Sequence, residues 1–146
     1  MDNYVDRADK VMRALSEEAQ KSNGSKMVTS NGSKMVTTSQ IRKFLTAVNR
    51  VNGKIDQFKN GNKSSASGRI PEDLQMEIKF LKVKLAYQIG RADSGRYRAN
   101  PVKEFADKSG LIGEIDKIGD SLERYENFAR YVEALVAFHK FYGGKD

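Results

Sequence analysis

The chain lacks the residues on which many kinds of site depend. It has no cysteine and no tryptophan among its 146 residues, and only one histidine and two prolines. The absence of cysteine excludes disulfides, thiolate nucleophiles, Cys-ligated zinc and iron–sulfur clusters. Neither a G-x-x-x-x-G-K-[ST] loop nor a G-x-G-x-x-G loop occurs in the sequence, so no nucleotide-cradling loop is predicted. We therefore expect no catalytic residue, no metal and no cofactor.

Long apolar runs are also missing. No stretch approaches the roughly 20 apolar residues of a membrane span. The N-terminal sequence MDNYVDRADKVMRAL carries acidic residues where a signal peptide would have a basic start and a continuous apolar run. These features predict no membrane partner and a cytoplasmic location.

Positive charge is concentrated in the middle of the chain. The formal net charge is +7, and residues 38 to 100 contain thirteen Lys or Arg against five Asp or Glu. The segments on either side are close to neutral or slightly acidic. Such an excess on part of a small domain indicates a polyanionic partner, most often nucleic acid. A solvated basic surface without a partner is the alternative that composition leaves open.

Apolar residues recur at helical spacing along the whole chain, with no sustained alternation typical of strands. The fold class is therefore predicted to be all-α, a compact bundle of five or six helices in a single domain over residues 1–146. A flexible Gly/Ser-rich linker is predicted at 60–70. The other predicted parts are an N-terminal helix at 1–21, a duplicated loop at 22–37, basic helices at 38–59 and 71–92, and C-terminal helices within 102–142.

The octapeptide SNGSKMVT occurs twice in succession, at 22–29 and 30–37. Two short copies rich in turn residues are too few to form a solenoid. We expect a loop without chemistry, followed by Thr38 or Ser39 as the N-cap of the first basic helix.

The helix at 71–92 carries two apolar stripes on nearly opposite sides. Leu74, Ile78, Leu81, Leu85 and Ile89 form one stripe, and Met76, Phe80, Val83 and Tyr87 form the other. A helix that is apolar on two sides either lies at the centre of a bundle or is covered by another subunit. Central bundle helices are common, which favours the first explanation.

His139 lies on the apolar stripe of the last helix. A lone histidine in this setting is more often a satisfied core or interface residue than a ligand or a general base. A small ribonuclease using His139 and a helical DNA-binding regulator remain the alternatives to a binding subunit.

Three blocks resemble one known family. The sequences VTTSQIRKFLTAVNRV, FLKVKLAYQIGR and FARYVEALVAFHKFYGGKD are similar to the small subunit of type III-A CRISPR effector complexes, the Csm complexes. The C-terminal block is the most specific of the three. The likeness covers the helical body, whereas the duplicated octapeptide departs from the family pattern.

The resemblance implies a non-catalytic helical subunit that stacks in several copies along a guide RNA–target RNA duplex. It implies contacts mainly with the target RNA backbone, a part in monitoring guide–target complementarity in antiviral defence, and packing against the backbone subunits and the large signature subunit. Sequence specificity in such a complex comes from base pairing, so the protein needs to read only backbone and shape.

The basic face of the first basic helix, the lysines and arginines that follow it, and the family pattern together give the predicted RNA-binding residues. They are Ser39, Arg42, Lys43, Arg50, Lys54, Lys79, Lys82, Lys84, Arg91, Arg96 and Arg98. The predicted subunit-interface residues are Met76, Phe80, Val83, Tyr87, Tyr131, Phe138 and Tyr142.

Overall fold

The computed structural model describes residues 3–24, 35–61, 67–93 and 100–143. This part of the chain forms six α-helices and no strand, which confirms the all-α bundle. They are α1 (Tyr4–Gly24), α2 (Thr38–Gly61), α3 (Glu72–Ala92), α4 (Pro101–Ser109), α5 (Leu111–Ile118) and α6 (Leu122–Phe141). None of the described helices is long and apolar enough to cross a membrane.

The N-cap of α2 is Thr37, one residue before the predicted candidates Thr38 and Ser39. Its hydroxyl accepts a hydrogen bond from the Gln40 amide at 3.1 Å, and the Gln40 side-chain oxygen accepts one from the Thr37 amide at 2.9 Å. This reciprocal pair is a capping box with glutamine at the third helical position. Thr38 is instead the first helical residue and is buried.

The predicted loop over 22–37 was wrong at its start, where the last turn of α1 extends into the first octapeptide, whereas residues 35–37 lie outside any helix as predicted. Residues 22–24 close α1, and Val36 is 2 % exposed. The remaining residues of the repeat, 25–34, lie outside the described residues. The end of the second copy therefore contributes Val36 to the core.

Part of the predicted linker is also ordered. Residues 60 and 61 end α2, and residues 67–70 lie against the start of α6. The Ile70 amide donates to the Asp120 carbonyl at 2.8 Å, and the Leu122 amide donates to the Gly68 carbonyl at 3.0 Å. Gly68 adopts a φ of 73°, which a residue with a side chain rarely tolerates. The rest of the predicted linker, residues 62–66, lies outside the described residues.

The core lies around α6, which packs against α1, α2 and α5, while α3 packs against α2, α4 and α5. Each helix contributes an apolar stripe with helical spacing, and burial of these stripes holds the bundle together. Phe128, Val132 and Leu135 of α6 are at most 3 % exposed.

The two stripes of α3 have different environments. Leu74, Ile78, Leu81 and Leu85 are buried against the bundle. The opposite stripe, which we call the α3 strip, consists of Met76, Phe80, Val83 and Tyr87, and these residues are 52 to 68 % exposed. The central position favoured from the sequence was therefore wrong, because α3 is an outer helix with an apolar side that none of the described residues covers.

Candidate nucleic-acid interface

Helices α2 and α3 run antiparallel and form one side of the bundle. Gln88, near the end of α3, donates its side-chain amide to the carbonyl of Gln40, at the start of α2, at 3.1 Å. Lys54 in the second half of α2 reaches Glu77 in the first half of α3. This arrangement brings cations from both predicted basic helices onto the same side of the molecule.

The outer face of α2 carries a row of exposed cations. Arg42, Lys43 and Arg50 are exposed, as is Ser39 in the first turn. The core-facing side of the helix holds buried residues such as Phe44, Val48 and Val51. Because the two sets point in opposite directions, the helix can contribute to the core and still present its cations to a partner.

Lys43, Lys84 and Arg91 surround a shallow hollow between the start of α2 and the end of α3. Its apolar lining comes from three residues of the α3 strip, Phe80, Val83 and Tyr87, and we call it the basic hollow. The Arg91 guanidinium lies 5.9 Å from the centre of the Tyr87 ring, within the range of a cation–π contact. A cationic rim beside an exposed tyrosine can hold a phosphate and offers a surface on which a base can stack.

Two of the predicted cations already have carboxylate partners. Lys54 Nζ lies 2.8 Å from Glu77 Oε1, and Lys82 Nζ lies 2.7 Å from Asp116 Oδ1. The hydrogen bond from Lys54 is the main cause of a lowered pKa at Glu77, and the positive charges of Lys54, Lys84 and Arg50 add to it. These exposed pairs are weak, so an RNA phosphate could compete for either lysine, but at a cost that unpaired cations avoid.

Lys79 is exposed on the outer side of α3. Arg96 and Arg98 lie outside the described residues. Lys43, Lys84 and Arg91 meet at the basic hollow, and Arg42 and Arg50 are exposed along α2. None of these five cations forms an ion pair with a described residue.

Of the predicted interface residues at the end of the chain, Tyr131 is part of the core. Its side chain is 3 % exposed, and its hydroxyl donates to the Ser109 carbonyl at 2.7 Å. The Arg7 guanidinium covers the ring at 4.7 Å, and burial raises the tyrosine pKa to about 12. Tyr131 is thus unable to form part of an outer interface in this fold, and its prediction as an interface residue is corrected.

Phe138 and Tyr142 are half-buried and pack against the core. The Tyr142 hydroxyl donates to Asp9, and Arg13 Nε donates to the same hydroxyl at 3.3 Å. The exposed aromatic residue of this region is Phe141, at 75 %, which the sequence reading missed. Its position two residues after His139 places it on the opposite side of α6, so helical spacing could have identified it.

His139 is buried, which confirms the prediction of a satisfied core residue. Its side chain is 1 % exposed, and Nε2 contacts the Val36 carbonyl at 2.5 Å. Because a carbonyl only accepts, the neutral ring with its proton on Nε2 fits this contact. Burial lowers the pKa of the imidazole. The ring is buried in the core and cannot reach an RNA chain at the surface.

Acidic residues and the histidine give no sign of a metal centre. Among the described ranges, no group of three or more such side chains is close enough to hold an ion.

Comparison with known proteins identifies the family. The family model described as Csm2 Type III-A matches residues 8–145. Two relatives named "CRISPR system Cms protein Csm2", from Streptococcus thermophilus and Mycobacterium tuberculosis, are each 31 % identical over 145 residues, covering 99 % of this chain and 95 % of their own. A relative of the same name from Enterococcus italicus is 29 % identical over 106 residues, covering 71 % of this chain and 66 % of its own. The chain therefore belongs to the Csm2 type III-A family, the small-subunit family that the three sequence blocks indicated.

Proposed function

We propose that this Csm2 protein is a non-catalytic RNA-binding subunit of a type III-A CRISPR ribonucleoprotein in the cytoplasm. Several copies stack along the guide RNA–target RNA duplex, contact mainly the target strand, and contribute to monitoring guide–target complementarity in antiviral defence. The other partners are the backbone subunits and the large signature subunit.

The observation that carries RNA binding is the group of cations on the α2–α3 side. Arg42, Lys43, Arg50, Lys84 and Arg91 form no ion pair with the part of the chain that the structure describes, and they come from two antiparallel helices. Cations arranged in this way neutralise successive phosphates and release counterions, which gives affinity without sequence preference. A subunit that leaves sequence recognition to base pairing requires this kind of surface.

The absence of a catalytic role is supported by the position of the only histidine. His139 is buried in the core with its Nε2 engaged by a backbone carbonyl. A ribonuclease that used it would need the imidazole at the surface, within hydrogen-bond reach of the RNA. The fold therefore gives no support to the ribonuclease alternative.

Assembly into a larger complex is supported by the α3 strip. Phe80 is 53 % exposed and Tyr87 is 66 % exposed, and no described part of the chain covers them. A contiguous apolar strip on an otherwise charged helix favours burial by another protein surface. We assign it to contacts between subunits.

RNA binding is tested with the full-length protein and a fluorescent single-stranded RNA at several salt concentrations. We expect Arg42→Ala and Arg50→Ala each to lower affinity about three- to ten-fold at low salt, equally for unrelated sequences, and to reduce the steepness of the salt dependence. Lys10→Ala, an exposed cation on α1, is the matched control and should leave affinity unchanged.

Two results would contradict the proposal. One is equal loss of affinity in the Lys10 variant, since that would mean that net charge rather than the α2 face controls binding. The other is tight sequence-specific binding to duplex DNA by the free protein.

A further inference from the structure

The α3 strip is symmetric about its own midpoint. Phe80 and Val83 are equally far from the point between Leu81 and Lys82, and so are Met76 and Tyr87. A second α3 lying antiparallel about a two-fold axis through this point would place each Phe80 against a Val83. Each Met76 would then meet a Tyr87, a favourable pairing of thioether and aromatic ring.

The charged residues along one flank of the strip are ordered in a way that fits the same antiparallel pairing. At about 100° per residue, Asp73, Glu77, Lys84 and Arg91 lie on the same side of α3. The two acids come in the first half of the helix and the two cations in the second half. An antiparallel pair would therefore bring each Arg91 close to an Asp73 and each Lys84 close to a Glu77.

The surface beside the strip is likewise acidic near the start of α3 and basic near its end. Asp73 and Glu77 line a hollow at the beginning of α3, together with Met76, Phe80 and Lys84, and we call it the acidic hollow. It adjoins the basic hollow, with which it shares Phe80 and Lys84. In the antiparallel arrangement each acidic hollow faces the basic hollow of the other copy.

We propose that two copies of the free protein pair antiparallel through α3, with the α3 strips in contact and opposite hollows facing each other. A surface with this pattern is complementary to itself, as a two-fold interface requires. Nucleic acid and anionic lipid fit the complete strip poorly, because Asp73 and Glu77 would repel phosphate along half of its length. A two-fold contact closes at two copies, whereas head-to-tail contacts continue to grow.

Pairing would occupy part of the proposed RNA surface. Lys84 and Arg91 would face carboxylates of the second copy and lose their access to phosphate. The free dimer and the RNA-bound protein would therefore exclude each other, a consequence that rests on the proposed function. Release of α3 would then accompany loading onto RNA.

Sedimentation equilibrium of the full-length protein tests the pairing. One helix face offers less than the roughly 800 Å² per partner of a stable complex, so we expect a weak dimer with a dissociation constant between about 10 µM and 1 mM. Asp73→Lys and Arg91→Glu should each weaken it about five-fold or more, because each creates two like-charge contacts. The double variant should regain at least most of the wild-type affinity.

Phe80→Glu should abolish the dimer, and because Phe80 is exposed, the far-ultraviolet circular dichroism should not change. Glu133→Lys, on the exposed side of α6, is the control and should pair normally. A wild-type protein that stays monomeric up to about 1 mM, or grows beyond two copies, would overturn the proposal. A double charge reversal that pairs no better than the single variants would overturn the antiparallel arrangement.

Added RNA separates this proposal from the proposed function. Saturating single-stranded RNA should convert the dimer into RNA-bound monomers. Persistence of the dimer with RNA bound would contradict mutual exclusion. Failure of RNA to bind the wild-type protein at concentrations well below the dimer dissociation constant, where the protein is monomeric, would count against RNA binding, while the sedimentation results would still decide the pairing.

Discussion

Replacement of His139 tests how the end of the octapeptide repeat is fixed to the core. The imidazole on α6 is 1 % exposed and holds the Val36 carbonyl, directly before the Thr37 cap of α2. His139→Ala removes the packing of the ring and the hydrogen bond, and it leaves a buried carbonyl without its donor. We expect a loss of about 2 to 4 kcal/mol in the free energy of unfolding.

The burial of His139 also predicts a dependence of stability on pH. Burial holds the folded-state pKa of His139 below its ordinary value of 6.5. When the pH falls below that value, His139 binds a proton in the unfolded chain while it stays neutral in the folded protein. The contribution of His139 to the free energy of unfolding is therefore fully present above about pH 6.5. It falls as the pH drops, by at most about 1.4 kcal/mol per pH unit.

Carboxylate titration falls in a different pH range. The Lys54–Glu77 pair lowers the pKa of Glu77 below its ordinary value of 4.5. The stability from that pair is present above this value and is lost only in more acidic solution. The interval between about pH 6.5 and pH 5 therefore reports mainly on His139.

Urea unfolding followed by circular dichroism at about pH 7 and about pH 5.5 measures this effect. The wild-type protein should lose stability between the two, and His139→Gln, which has a neutral amide donor and no titration, should lose clearly less. Equal losses in both proteins would refute the argument, because the proton uptake would then occur elsewhere.

Three further predictions concern the start of α2 and the ion pairs. Thr37→Ala should lower the free energy of unfolding by about 1 kcal/mol, because the capping box with Gln40 is lost, and chemical denaturation measures it. Deletion of residues 22–29 should leave the melting temperature and RNA affinity unchanged, because the remaining identical copy supplies the same residues before α2; a clear loss of either would contradict this. Glu77→Gln should raise RNA affinity a few-fold in the fluorescence assay, because a repulsive charge disappears and Lys54 is released; an unchanged or lower affinity would place RNA away from α3.

Much of the fold could be predicted because the apolar stripes have clear helical spacing. The stripe Leu74, Ile78, Leu81, Leu85 is buried as its spacing indicates. The central position favoured for α3 was wrong because spacing shows which residues share a side but not what covers that side; the subunit interface predicted for the second stripe stays a prediction. Only tertiary packing, with α3 at the edge of the bundle, decides between a core and an exposed surface.

The cap of α2 shows a different limit. Thr37, Thr38 and Ser39 all have hydroxyl groups that can cap a helix, and their order along the chain does not select among them. The selection comes from Gln40, whose side chain returns to the Thr37 amide, and from the core, which buries Val36 and Thr38. The interactions that fix the start of α2 are therefore partly tertiary.

The candidate site was predicted in part. Helical geometry correctly placed Arg42, Lys43 and Arg50 outward on α2, but it could not show that Lys54 and Lys82 face carboxylates on neighbouring helices. Tyr131 was misplaced for a related reason, since its partner Arg7 lies on α1, far away in the sequence.

Co-purification tests the central claim most directly. The tagged full-length protein is expressed together with the other genes of its CRISPR system and recovered from the cell. We expect it to bring down a guide RNA together with the backbone and large subunits, and a double Arg42→Ala/Arg50→Ala variant to lower the RNA protected from nuclease when a matching target is supplied. Recovery of the protein without guide RNA and without the larger subunits would contradict the account.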